Sequence, residues 1–121
     1  MARVLIVDDS PTETHVFRGM LERHDFTVLV AGSGEEGLRI AREIRPDLIL
    51  MDIVMPGMNG FQATRKLSRD DATRAIPVII ISTKNQETDR IWGMRQGARD
   101  YLVKPVSEEE LLDKVRSVMA A

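Results

Sequence analysis

Leu48-Ile49-Leu50-Met51 is an unbroken apolar run that stops on one carboxylate, Asp52, and is followed by Pro56, Gly57 and Gly60. A strand covered by helices on both faces shows no polar alternation, and the proline and glycines mark a loop after it. The run therefore predicts a buried parallel strand that delivers Asp52 to its carboxyl end. In open α/β sheets that edge is where ligands bind.

The same design recurs along the chain. Val4 to Val7 stops at Asp8 and Asp9, Pro77 opens Val78-Ile79-Ile80-Ile81 ahead of Ser82, and Tyr101-Leu102-Val103 stops at Lys104-Pro105. Thr27 to Ala31 is a further strand candidate, rich in β-branched residues. The intervening stretches have helical spacing. Ser10, Pro11 and Glu13 predict a capping box that opens a helix running to about His24, with Val16, Phe17, Met20 and Leu21 as its apolar positions. Ser33 with Glu36 predicts a second box ahead of Leu38, Ile40, Ala41 and Ile44, and Asn59 predicts a cap for a helix carrying Phe61, Ala63 and Leu67. Gln86 to Gln96 has the weakest pattern, with Ile91 and Met94 predicted inward and Gly97 as the stop. Ser107 with Glu110 predicts a third box before Leu111, Leu112, Val115, Val118 and Met119. Five strands alternating with five helices predict an α/β fold, a doubly wound (βα)5 with a five-stranded parallel sheet. The strand order expected for it is 2-1-3-4-5, the common five-strand solution. The 121 residues predict one domain, 1–121, with no output domain.

Composition narrows the chemistry. With no cysteine there is neither a disulfide framework nor a thiolate metal site, so a metal must sit mainly on oxygen. The 17 basic and 19 acidic residues are interspersed, which gives no basic footprint for nucleic acid. The first apolar run is too short for a signal peptide or a membrane span, so the expected location is the cytoplasm, with no membrane partner.

A parallel sheet places Asp8, Asp9, Asp52, Ser82 and Lys104 on one edge. Close carboxylates repel by a few kcal/mol per pair, on the order expected at an effective dielectric near 20, so a positive charge must sit among them. Mg2+ suits a site with few converging protein ligands better than Ca2+ does. Asp52, central among the five, is placed to act as a nucleophile that forms an acyl-phosphate, with Lys104 on the phosphoryl oxygens and the Ser82 hydroxyl available to the product. A phosphatase on a similar fold would want a second aspartate two residues after the nucleophile, where Val54 stands. An FMN module would want a hydroxyl-rich loop where Asp8 and Asp9 stand.

The aspartate pair at 8 and 9, MDIVMPGMNG over 51–60, Ser82 and DYLVKP over 100–105 together resemble a response-regulator receiver domain, CheY-like and flavodoxin-like in fold, over the whole chain. DDSPTE, MDIVMPGMNGFQATR and GARDYLVKP are most similar to the single-domain receivers of type IV pilus twitching-motility systems. The resemblance implies a signalling protein rather than an enzyme acting on a separate substrate. It implies Asp52 as phosphoacceptor from a histidine kinase, Mg2+ bound by Asp9, Asp52 and the Val54 carbonyl, and Asp8 holding the ion through water. Lys104 would contact the phosphoryl group by way of a cis bond to Pro105, and Ser82 and Tyr101 would form a switch in which Tyr101 turns inward. Glu87, Arg90, Met94, Tyr101 and Lys114 would form the face offered to a downstream protein, with the chain a monomer or weak dimer. Thr83 departs from the small residue usual after the switch hydroxyl. Val54 and Lys84 occupy the positions where the family tunes dephosphorylation.

Overall fold

The computed structural model describes residues 2–120. The strands are β1 (Arg3–Val7), β2 (Thr27–Ala31), β3 (Leu48–Met51), β4 (Val78–Ser82) and β5 (Asp100–Val103). They alternate with helices α1 (Pro11–Glu22), α2 (Gly34–Ile44), α3 (Gly60–Arg69), α4 (Glu87–Arg95) and α5 (Glu108–Ala120). All strand pairs are parallel, in the order β2-β1-β3-β4-β5, as expected.

The two-residue period of each strand divides the core between the faces. Val4, Ile6, Leu48, Leu50, Ile79 and Ile81 pack with Phe17 and Leu21 of α1 and with Leu111, Leu112, Val115 and Val118 of α5. Leu5, Val7, Ile49, Met51 and Ile80 pack with Ala41 of α2 and with Ala63 and Leu67 of α3. Each Val, Leu, Ile or Met side chain among them, fully buried, contributes about 1.5–3 kcal/mol of hydrophobic transfer energy. Register then fixes the edge. Val7 is level with Met51, so the next residues, Asp8 and Asp52, emerge side by side. The ladder continues past the strands, with Asp52 N–H donating to the Val7 carbonyl at 2.9 Å and Lys104 N–H to the Ser82 carbonyl at 2.9 Å.

The helix starts differ in detail from expectation. Asn59 and Gln62 close a full capping box, each side chain accepting the other's backbone N–H at 2.9 Å. Ser107 and Glu110 also bond reciprocally, at 3.1 and 3.3 Å. At Ser10 only half of the predicted box forms. Ser10 Oγ accepts from Glu13 N–H at 3.3 Å, but Ser10 N–H donates to Asp8 Oδ1 at 2.9 Å, which leaves the Glu13 carboxylate free for another partner. Ser33 accepts from Glu36 N–H at 3.1 Å in the same one-sided way.

The expectation that Ile91 and Met94 face inward is overturned: they are 45 % and 39 % exposed. Helix α4 approaches the sheet through Gly93, where an added Cβ would lie 2.8 Å from Ile80 Cδ1 and 3.3 Å from Tyr101 Cδ2. With Gly93 inward, a helical step of about 100° per residue turns Ile91 to the far side and Met94 to the flank. Gly97, at φ +109°, ends the helix as predicted.

Candidate functional site

Asp8 and Asp52 are buried where β1 and β3 end, and Asp9 is exposed beside them. One carboxylate oxygen from each of the three lies within 4.8 Å of the others. Lys104, at the end of β5 and joined to Pro105 by a cis bond, reaches across the edge. Its Nζ lies 2.8 Å from Glu13 Oε1, 3.2 Å from Asp52 Oδ1 and 3.6 Å from Asp8 Oδ2.

The charges are unevenly satisfied. Burial pushes the Asp52 carboxyl above the usual carboxylate range and the Asp8 charge adds to it, against the opposing pull of Lys104 and the Ile53 N–H. Asp8 is likewise raised, first by burial, although Ser10 N–H and Lys104 oppose it. Burial acts to lower the Lys104 ammonium, but the bonds to Glu13 and Asp52 outweigh it and hold the lysine above its ordinary value. One lysine faces three carboxylates, with that of Asp9 beside them. Three hard oxygen donors gathered within 4.8 Å of one another, two of them buried, suit a small divalent cation such as Mg2+.

Ser82 is buried at the end of β4, its Oγ accepting Lys84 N–H at 3.1 Å. Thr83 is exposed and lines a cleft of about 310 Å³ with Glu13, Phe17 and Pro105, next to Lys104. Val54, two residues past Asp52 in the β3–α3 loop, is exposed. Tyr101 was expected on the partner face, yet it is only 4 % exposed and its hydroxyl donates to the Lys84 carbonyl at 2.7 Å. Its ring occupies the space that the missing side chain of Gly93 leaves beneath α4. Glu87, Arg90 and Met94 are exposed on α4. Arg90 and Lys114 are engaged by Asp100, at 3.6 and 2.9 Å.

Two residues of the site carry more than their sequence reading gave them. Glu13 reads as a capping residue, and its spacing four residues after Asp9, in the first turn of a helix that begins at the site edge, is the signal that marks it. Gly60 reads as loop punctuation, but an added Cβ there would run into the Asp52 carbonyl oxygen. Its N–H donates to the Ile53 carbonyl at 2.9 Å, so α3 starts directly against the backbone that carries Asp52. A side chain at position 60 would displace that backbone.

The family model of the response regulator receiver domain matches residues 4–116. The chain is 62 % identical to Protein PilH of Pseudomonas aeruginosa over 120 residues, 99 % of each chain. The structure superposes on the Vibrio cholerae chemotaxis protein CheY4 with a TM-score of 0.92 at 31 % identity, covering 98 % of both chains. It superposes equally, with a TM-score of 0.92 at 29 % identity over 99 % of this chain and 98 % of the other, on the receiver domain of a Pseudomonas aeruginosa sensor histidine kinase. That structure holds a magnesium ion coordinated in its active site cleft.

Proposed function

The chain belongs to the response regulator receiver domain family, and on that premise we propose that it is a stand-alone receiver of a two-component phosphorelay. An Asp52 oxygen attacks the phosphorus of a phosphohistidine on a partner kinase. The P–N bond breaks, its electron pair stays on the imidazole nitrogen, and Asp52 becomes an acyl-phosphate. Asp8, Asp9, Asp52 and the Val54 carbonyl would hold Mg2+, which when bound supplies neutralising charge to the phosphoryl oxygens. Lys104 adds an ammonium on the other side, and the Ser82 hydroxyl, buried at the end of β4, would donate to the product.

The output face in this reading is α4, β5 and α5, with Glu87, Arg90, Met94 and Lys114 at its surface and Tyr101 beneath it. Tyr101 is inward in this structure, so phosphorylation would act by stabilising that arrangement against an outward one. A partner that prefers one arrangement tenfold requires about 1.4 kcal/mol of bias between them. The similarity to PilH supports a role in chemotaxis-like control of type IV pilus twitching motility, acting in the cytoplasm through protein partners. Among the described residues no helix is long and apolar enough to cross a membrane.

The observation that carries the reading is the single ammonium 3.2 Å from Asp52 Oδ1, at the side of a triplet of aspartates to which Asp52 belongs. Intact-mass spectrometry after incubation with acetyl phosphate and Mg2+ tests it. One added phosphoryl mass, labile to hydroxylamine and mapped to Asp52, is expected; a modified serine instead would refute it.

A further inference from the structure

We infer that Glu13 is a positioning residue that shares the Lys104 ammonium with Asp52 and must release it when a phosphoryl group arrives. This rests on the reading of Asp52 as phosphoacceptor. Of the three carboxylates around Lys104 Nζ, Glu13 is the nearest, at 2.8 Å against 3.2 Å for Asp52 and 3.6 Å for Asp8. Its position is built rather than incidental. Ser10 Oγ fixes the Glu13 backbone in the first turn of α1, and Asp8 has taken the Ser10 N–H that a capping glutamate would otherwise accept. The carboxylate is thereby released from capping and turned toward the lysine.

The competition has a definite direction. Lys104 has a side chain only 10 % exposed and its backbone N–H is tied to Ser82, so its ammonium is confined between Glu13 and Asp52 and touches both. Glu13 is 41 % exposed on its side of that pair, which makes it a solvent-screened partner, strong enough to hold the ammonium at rest and weak enough to yield to a phosphoryl dianion. A phosphoryl group on Asp52 has more negative charge than the carboxylate it replaces and draws Lys104 inward. Drawing the ammonium inward loosens the Glu13 pair, and every loss of the phosphoryl group restores it. Glu13 thus slows charging of Asp52 and hastens its discharge.

The test uses the full chain with acetyl phosphate and Mg2+. In that reaction the acetyl P–O bond breaks, acetate leaves with the electron pair, and the Asp52 O–P bond forms. Glu13→Gln should speed labelling at limiting donor and slow loss of label after donor removal, each by about threefold to fivefold, the size of one screened ion pair. Glu13→Asp, with its carboxylate drawn back by one methylene, should fall between Glu13→Gln and wild type. In a Lys104→Ala background the Gln substitution should change neither rate, because the residue acts through the lysine. Exchange of the Lys104 ammonium protons, followed by NMR, should also be faster in Glu13→Gln without any phosphodonor. Unchanged rates in Glu13→Gln, or the same change without Lys104, would overturn the inference while leaving the reading of Asp52 intact. A wild type that takes no label on Asp52 would overturn both.

Discussion

The two edges of this sheet handle the same side chain in opposite ways. At the amino edge, Asp47 Oδ2 accepts Arg3 N–H at 2.8 Å, and Asp100 holds Lys114 at 2.9 Å, Arg90 at 3.6 Å and its neighbour's N–H, that of Tyr101, at 2.7 Å. Burial acts to raise the Asp100 carboxyl, but these partners outweigh it and hold it below the ordinary carboxylate range. At the carboxyl edge, Asp8 and Asp52 are pushed above that range, with Lys104 divided among them and Glu13. Aspartates at one edge have been completed by the fold. Those at the other have been left incomplete, and an unfinished electrostatic arrangement is what a ligand can finish.

The largest expected effect separates the edges by chemistry. Asp52→Ala should abolish the phosphoryl mass gain, whereas Asp100→Asn should label at the wild-type level, both read by intact-mass spectrometry. Next comes the response to metal. At tenfold excess over its dissociation constant Mg2+ should stabilise the wild type by about 1.4 kcal/mol through binding only the folded state, and Asp52→Asn much less. Thermal unfolding followed with and without Mg2+ would expose an error here, since an unmoved wild type removes the metal site. Without metal, Asp8→Asn or Asp52→Asn should raise stability by about 1 kcal/mol through relief of repulsion and desolvation, while Asp100→Asn lowers it by about the same amount. Urea unfolding that gave all three variants the same sign would erase the contrast.

The smallest effect is in pH. Asp8 and Asp52 have raised folded values, so between the unfolded value near 3.9 and those raised values the native state binds more protons, and stability falls as pH rises through that window. Asp100 has a lowered folded value, so its contribution is present above about 3.9 and is lost as pH falls toward the folded value. Unfolding free energies across a metal-free pH series should flatten on the rising side in Asp8→Asn and on the acid side in Asp100→Asn.

The carboxyl edge was legible before any coordinates because its information is local: an apolar run, then a charged residue, repeated in parallel strands, and register turned that repetition into proximity. Asn59 as a cap and the box of Ser107 with Glu110 were legible for the same reason, as the bonds they make lie within one turn. What could not be read depended on distant parts of the chain. Ile91 and Met94 satisfy an inward helical spacing, but α4 docks through Gly93, and a glycine that allows close approach leaves no mark in hydropathy. Tyr101 lies under α4 for the same cause. Glu13 satisfied a local rule, capping, until Asp8 took its acceptor role and Lys104, from the far end of the chain, supplied a stronger attraction.

The way α4 docks also has an optical consequence. Trp92 is the chain's single tryptophan and sits next to Gly93, 48 % exposed. An indole in that position emits from a largely water-relaxed state before the protein unfolds, so emission wavelength will change little on denaturation and circular dichroism is the better monitor of it. A protein that lands on α4, by contrast, strips water from the only fluorophore of its kind in the chain. Blue-shifted emission and protection from acrylamide quenching would then report docking on that helix without any added label.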